Sequence, residues 1–520
     1  MRYLRLSLCI VCGLCGINSC SVEDARAAGA KTPVAAYTTI ELAHRLIDQG
    51  DITYAQLTAA SLARIRSHDD AGPTLNAIVE TDPNAQFRAN ALVGAPNSIG
   101  LLAGIPFVVK ANIDTAPPLH TNAGSQAIGQ RVALDHARLV AALENAGGIL
   151  VGKANMSEWA NFRAQKSVSG WSSVGGQTKN PHVLNRNPCG SSSGSAVAVA
   201  AGIVPLAIGT ETLGSIVCPA GINGVVGLKP TLGLVSRDGL IPIASSQDTA
   251  GSFTRSVKGA AIALQVMAGP EIGDEYAQGY AGPRDYIGAL QGASLQGLRV
   301  GVWRAYIGAK NYSRVVEIVD DVIATLEEGG ATVVDPIGLY LERSVYEASF
   351  AVMMHEFKQG LEVYFGRAGV LNEVMAYNTA HAQKTMPWFG QDLFAAVQAS
   401  ALTPAEYAGA LAAGKGAVEY HLDEIFEKFN LDVIIAPTNS PAWVTDYVLG
   451  DRPGVSSSVL AALSGRPAIS IPAGQILSLP VGISIVGKMW RDDDLLAAAY
   501  ALEQDLPSAP RPQFLPTLTH

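Results

Sequence analysis

The chain has 520 residues, of which 48% are hydrophobic and 16% charged, with a formal net charge of −9. Such a composition buries a large core and excludes extended disorder away from the ends. The acidic balance and the lack of any long Lys/Arg run argue against a nucleic-acid partner, and the length suits two or three average domains or one large α/β domain.

The first twenty residues, MRYLRLSLCIVCGLCGINSC, stand apart. Arg2 and Arg5 form a basic head, and Leu6 to Ile17 form an apolar stretch too short to span a bilayer, the layout of an export signal. Ile17-Asn18-Ser19-Cys20 resembles a bacterial lipoprotein box, in which Cys20 would be lipidated; Ala25-Arg26-Ala27 offers an ordinary cleavage site instead. The expectation is an export signal over 1–27 and a protein that is periplasmic or anchored to the membrane through Cys20. One acyl chain holds weakly and two or more hold stably. Four of the six cysteines (Cys9, Cys12, Cys15, Cys20) lie in this leader. The other two, Cys189 and Cys218, suit no zinc spacing; they either pair in an oxidising compartment or stay as two buried thiols.

Residues 28–38 are small, polar and expected to be flexible. Thr39 to Gly50 reads as a capped helix, with Ile40, Leu42, Ala43 and Leu46 at helical spacing and Gly50 as a stop. Thr53 to Ser67 repeats the pattern. A short strand at Asn76 to Glu80 and a helix at Asn84 to Leu92 follow. Gly104-Ile105-Pro106-Phe107-Val108-Val109-Lys110 is a buried strand ending in a lysine. Next come a helix (Asp135 to Ala146), a strand (Ile149 to Val151), a Gly/Ser-rich stretch (Ser167 to Gly176), and a buried Ala/Val helix (Ser195 to Ala201). A strand (Val204 to Ile208) and a helix (Gly259 to Met267) come after it. Leu298 to Val302, Ala331 to Val334, Asp432 to Ile435, Ala468 to Ile471 and Val481 to Ile485 are further strands between helical runs. This alternation implies an α/β layered fold around a largely buried sheet. Residues 340–428 differ: they read as a helical insert with many aromatic side chains, most of them core, set where they could cover a site.

Chemistry concentrates between Pro188 and Ala220, where two Gly/Ser clusters flank an apolar run. Glycine lets backbone N–H groups approach a ligand closely, and serine can attack a carbonyl if a base is at hand. Gly190-Ser191-Ser192-Ser193-Gly194 formally matches the esterase nucleophile elbow with Ser192 at its centre. But Asn185-Arg186-Asn187-Pro188 before it is turn chemistry rather than strand, and the C-terminal histidines on offer are His421 and His520. Lys110 is a different base. Burial penalises its ammonium form, and moving its pKa from about 10.4 to about 7–8 takes roughly 4 kcal/mol of differential solvation. Taken alone, a strand-end lysine is more simply a solvated surface charge.

Several stretches together decide between these readings. GIPFVVKANID (Gly104–Asp114), VGKANMSEWANFR (Val151–Arg163), NPCGSSSGSAVAVAAG (Asn187–Gly202), IGTETLGSIVCPAGINGVVGLKPTLGLVSRDGLIPI (Ile208–Ile243) and SQDTAGSFTRSV (Ser246–Val257) resemble the motifs of the amidase signature family, in family order. The likeness runs through most of 37–510 and is strongest to its peptide-amidase branch. It implies a three-layer α/β/α fold with a large mixed central sheet, an amidase domain over 39–510 with a helical insert at about 340–428, and a tail at 511–520. It implies a Ser–cis-Ser–Lys triad: Ser215 as nucleophile, Ser191 as bridging serine after a cis peptide bond from Gly190, and Lys110 as base. The serines are 24 residues apart, as in the family. Backbone N–H groups of Thr212, Leu213, Gly214 and Ser215 would form the oxyanion hole. Ser192 and Trp171 are candidates for substrate contact, Trp171 equally for core packing. No metal or organic cofactor is implied, and a monomer is expected.

The expected activity is hydrolysis of linear amides, with C-terminal peptide amides favoured and ammonia released through an acyl-Ser215 intermediate. The alternatives are aryl, acyl or short aliphatic amides, an elbow esterase, and a non-catalytic peptide-binding lipoprotein. The family's transamidation subunits for charged tRNA are cytosolic, which the leader disfavours. Some positions depart from the family pattern. Ala111 replaces an acid beside the base, Ser193 a glycine, and Leu213 a Gly or Asp at the pocket mouth. Val217 and Cys218 stand where other members carry an arginine for a substrate carboxylate, which argues against small dicarboxylic monoamides. Asn155 and Glu158 read as braces for the first serine loop, and Lys229 and Asp248 as structural ion-pair or turn residues.

Overall fold

The computed structural model describes residues 37–92, 100–304 and 312–518. The leader with Cys20, and His520, lie outside them.

The expected alternation produces one sheet of eleven strands. In chain order the strands are β1 (Ile78–Thr81), β2 (Pro106–Lys110), β3 (Ile149–Ala154), β4 (Trp171–Ser172), β5 (Gly176–Gln177), β6 (Leu206–Glu211), β7 (Val226–Lys229), β8 (Thr249–Thr254), β9 (Arg299–Val302), β10 (Thr332–Val334), β11 (Val433–Pro437), β12 (Ala468–Ile476) and β13 (Leu479–Val486). β4 and β5 pair by themselves; the rest order as β1-β3-β2-β6-β8-β7-β12-β13-β11-β9-β10. The sheet is mixed. β3, β2 and β6 run parallel, as do β11, β9 and β10, and the pairs across the middle are antiparallel.

Strand side chains alternate between two faces, and both faces of this sheet are dry. Phe107, Val109, Leu206, Ile208, Ile435 and Ile471 join one hydrophobic cluster. Their neighbours Val108 and Ala207 join a second, and Ile434 and Ala468 a third. Helices Ile40–Asp48, Arg138–Asn145, Val257–Met267, Ser313–Glu328 and Asp492–Asp505 cover the first face. Helices Ser193–Ala200, Ala417–Lys428 and Val459–Ser464 cover the other. That gives the three layers. All eight residues of Ser193–Ala200 are buried, as an apolar-all-round helix requires. Thr39 caps the first helix by accepting the Leu42 N–H at 3.1 Å.

Sequence periodicity alone did not suggest β7 and β8. β7 is only four residues long (VGLK), and β8 (TAGSFT) is mostly small or polar residues without a bulky apolar run. Their burial on both faces removes the alternation that would have shown them.

The helices from Arg343 to Lys428 are tied to segment 156–163 by aromatic packing. Trp159 meets Phe357 and Phe394 edge-on at 6.2 and 5.8 Å, and Phe162 meets Phe350 and Phe357 at 5.8 and 5.2 Å. Beneath them lies a dry ion pair. Arg163 Nη1 is 2.7 Å from Glu158 Oε1, with both side chains 0% exposed. Arg163 also donates to the carbonyls of Thr385 and Phe389 at 2.6 and 3.2 Å, and Glu158 Oε2 accepts the Ser173 N–H at 2.7 Å. Removing one member of such a pair strands the other charge. Glu158→Ala should therefore cost about 3–5 kcal/mol of stability, read by urea unfolding; a loss within about 0.5 kcal/mol, the ordinary range for a surface change, would contradict this.

Candidate active site

β2 and β6 are adjacent and parallel, so their carboxyl ends open at the same edge of the sheet. β2 ends there in Lys110 and β6 in Glu211. Lys110 follows Val109 and so points to the same side as Val108, where helix Ser193–Ala200 packs. Its amine is fully buried. It donates to Ser191 Oγ at 2.7 Å, to Thr210 Oγ1 at 2.8 Å and to the Thr210 carbonyl at 3.2 Å. Among the described residues no carboxylate forms an ion pair with it. Burial pushes its pKa down to about 7, against the pull of Asp248 and Glu211, which favour the charged form. At neutral pH a large share of this lysine is therefore an uncharged amine able to accept a proton.

Ser191 is fully buried and its peptide bond from Gly190 is cis. The loop around it is pinned from several sides. The Ser191 carbonyl accepts the Ser157 N–H at 3.1 Å, and Gly194 N–H donates to the Asn155 carbonyl at 2.9 Å. Ser193, where the family carries glycine, donates its hydroxyl to the Cys189 carbonyl at 2.6 Å. Asn155 in turn spans the Asn76 and Gly176 carbonyls and Thr178 Oγ1.

Ser215 follows the turn after β6 and heads helix Val217–Asn223. It is 9% exposed and lines a cavity of about 560 Å³ together with Gly190, Thr212, Leu213 and Gly214. Glu211 Oε2 accepts the N–H groups of Ile216 and Val217 at 2.6 and 3.0 Å. The N–H groups of Thr212, Leu213, Gly214 and Ser215 donate to no protein acceptor among the described residues. Gly214 sits at φ +85°, and a Cβ there would lie 2.8 Å from Ser458 Oγ, so the turn needs glycine at that position. The Thr210 carbonyl, besides meeting Lys110, accepts from Ser192 Oγ at 3.0 Å, and Ser192 N–H donates to the Ser215 carbonyl at 3.3 Å. The two serine loops are thus stitched to each other as well as to β6.

Two sequence expectations change. Ser192 does not line the cavity: it is fully buried, and its hydroxyl is occupied by the Thr210 N–H and C=O. Trp171 is 6% exposed and packs edge-on against Phe389 at 5.2 Å, beside the Arg163 guanidinium, outside the cavity lining. Both belong to the support of the site. The elbow partner also fails, because His421 is half exposed on helix Ala417–Lys428 beside Glu424.

Asp248 is an acceptor for a turn. It takes Thr212 Oγ1 at 2.5 Å and the N–H groups of Ile243 and Ala244 at 2.7 and 2.9 Å, and burial raises its pKa to about 6. Lys229 donates to the Pro230 carbonyl at 2.9 Å. Thr210 and Asn112, which holds Thr210 Oγ1 at 3.1 Å, were not marked by any sequence signal. A threonine in a strand and an asparagine after one are too ordinary. Among the described residues no cluster of three or more His, Cys, Asp or Glu is arranged to hold a metal ion.

The amidase family model matches residues 56–496. The chain belongs to the amidase signature family. The structure of this amidase superposes with TM-score 0.86 on the peptide amidase from Stenotrophomonas maltophilia, 40% identical, covering 92% of this chain and 98% of that one. A peptide amidase solved with the competitive inhibitor chymostatin is equally similar, at 40% identity and TM-score 0.87 over 92% and 99% of the two chains. A probable amidase of Arabidopsis thaliana is 32% identical over 92% of this chain and 91% of its own length.

No Lys, Arg or His among the described residues lines this amidase's cavity; the one ionisable lining group is Asp451. Leu213 stands 41% exposed at its mouth. With Lys110 as the titrating base, kcat/KM should rise with pH through about 7. Asp248 favours the charged lysine, so Asp248→Asn should move that acid limb to lower pH. A pH–rate profile whose limb stays put or moves up would contradict the assignment.

Proposed function

We propose that this amidase hydrolyses linear primary amides, C-terminal amides of peptides above all, and releases ammonia through an acyl-Ser215 intermediate. The observation that carries the reading is the buried contact of the Lys110 amine with Ser191 Oγ at 2.7 Å, beside a serine that opens onto a cavity.

The proposed steps use the groups described above. Neutral Lys110 takes the Ser191 proton while Ser191 takes that of Ser215, and Ser215 Oγ adds to the amide carbon. Negative charge collects on the carbonyl oxygen. The unpaired N–H groups of Thr212 to Ser215 are the donors available to it, and fixed donors of this kind are usually the largest catalytic contribution. Collapse breaks the C–N bond, and the lysine proton returns through Ser191 to the departing nitrogen, which leaves as ammonia. Water then reverses the relay on the Ser215 ester, giving the carboxylic acid and free serine.

Three observations support peptide amides as the substrate class. The chain resembles the peptide amidases more than it does the amidase family protein of Bacillus anthracis or a bacterial aryl acylamidase. A cavity of about 560 Å³ is in the size range of organic ligands rather than of short aliphatic amides. Its wall combines apolar Phe162, Phe350, Met353 and Leu393 with polar Asn439 and Ser458, a mixture suited to side chain and backbone together. With no cation in the lining among the described residues, a substrate carboxylate would go unpaired there, which disfavours small dicarboxylic monoamides. The apolar wall also suits aryl and acyl amides, the second reading.

Ammonia release from amidated peptides, aryl amides and aliphatic amides compares the classes directly; faster turnover of an aryl amide than of every peptide amide would replace the substrate reading. For the mechanism, Ser215→Ala should reduce hydrolysis to background while Ser192→Ala retains most of it, and the reverse would restore the elbow. Lys110→Ala should lose at least about 10²-fold at neutral pH. Export is a further proposal, resting on the leader: Cys20→Ser should shift the protein from the membrane to the soluble periplasmic fraction, and an unchanged distribution would remove lipidation.

A further inference from the structure

Cys189 and Cys218 are joined by a disulfide with Cα atoms 6.0 Å apart, an ordinary span for such a bond. Its position is what matters. Cys189 lies two residues before Ser191, and Cys218 three residues after Ser215. Both cysteines line the cavity and are nearly buried, at 6% and 7% exposure. The bond therefore connects the loop that holds the bridging serine to the helix that starts directly behind the nucleophile.

Weaker ties join the same two segments. Asn223 Nδ2 donates to the Pro188 carbonyl at 2.8 Å and to the Pro219 carbonyl at 2.7 Å. These two prolines each adjoin one of the cysteines. Ser192 N–H reaches the Ser215 carbonyl at 3.3 Å. Ser191 is separately fixed to the sheet through Lys110 and Ser157. Ser215 is held by its carbonyl, which takes that Ser192 N–H, and by its neighbours: Glu211 takes the Ile216 and Val217 N–H groups, and Asp248 and Gln247 hold Thr212, while the N–H groups of Thr212 to Ser215 donate to no protein acceptor among the described residues. Proton transfer between the two hydroxyls needs them within hydrogen-bond reach, and the disulfide is a covalent tie between the segments that carry them.

We propose that the Cys189–Cys218 disulfide is a positioning element of the reaction, holding the Ser215 turn at working distance from Ser191. This rests on the serine–serine–lysine reading above. The plainer role is a staple that closes a loop and stabilises the fold through the unfolded chain; that role would leave the rate of the folded enzyme untouched.

The test reduces the native enzyme with a water-soluble phosphine. The phosphine gains one oxygen from water and becomes the phosphine oxide, and the disulfide gains two electrons and two protons to become two thiols. Thiol titration confirms the reaction. Three readouts are taken on the same sample: kcat and KM on a peptide amide, the rate of Ser215 labelling by a fluorophosphonate, and the thermal midpoint. Since a 1 Å misplacement can cost about 10²-fold, kcat should fall by about 10-fold, with the hydrogen-bonded ties limiting the drift. Labelling should slow in parallel and KM should hold. Reoxidation should restore both rates. A Cys189→Ala, Cys218→Ala double variant should show the low kcat and no response to the phosphine.

Reduced enzyme that remains folded with unchanged kcat and labelling would overturn the inference. So would a lowered thermal midpoint with full activity below it, or a double variant that is fully active when folded. A double variant that does not fold at any assay temperature also overturns it in favour of the staple. An oxidised wild type that the fluorophosphonate never labels removes the serine mechanism itself, and this inference with it.

Discussion

An amine kept dry and without a carboxylate in contact is what the site depends on. Lys110 is surrounded by hydroxyls and a carbonyl, groups that bond to it without demanding that it stay charged. The two acids near enough to act on it through space are each held elsewhere. Glu211 gathers the Ile216 and Val217 N–H groups. Asp248 gathers Thr212, Ile243 and Ala244. Ala111 sits in an apolar cluster with Met156 and Trp159; a carboxylate there would be buried next to Lys110. Lowering the lysine from its ordinary value to about 7 corresponds to about 5 kcal/mol of differential interaction. The surrounding fold supplies that through the extent of its core.

The topology explains why these groups meet. Parallel neighbours present their carboxyl ends at one edge, and ligand sites in α/β sheets form in the crevice beyond such ends. β2 delivers the lysine there and β6 delivers the turn with Ser215. The segment after β3, with Asn155 and Ser157, holds the loop of Ser191 between them. Three adjacent strands thus end in three pieces of one hydrogen-bonded cluster beside the cavity.

Much of this was legible in the sequence, for reasons that differ by residue. An apolar strand closed by a lysine made Lys110 a candidate, but taken alone it read as a surface charge, and the family likeness was needed to single it out. Nothing in the run Ser191-Ser192-Ser193 distinguishes its three hydroxyls; the family likeness singled out the first. The structure supplies the physical reason, since Ser192 and Ser193 are consumed by the Thr210 backbone and the Cys189 carbonyl. Thr210 was invisible because its role depends on which strand lies beside β2. The pairing of Cys189 with Cys218 was open because no spacing rule reports a distance in space. The Arg163–Glu158 pair hid within a motif whose only outward sign was two opposite charges five residues apart.

The helical stretch contributes Phe350, Met353 and Leu393 to the cavity wall, while none of its residues reaches the lysine or either serine by a hydrogen bond among the described residues. The helical stretch thus supplies part of the cavity wall, while the partners of the Lys110 amine come from other segments. Residue changes along those helices would reshape that part of the wall while leaving the hydrogen-bond partners of Lys110 in place, so variation at the periphery need not reach the buried amine.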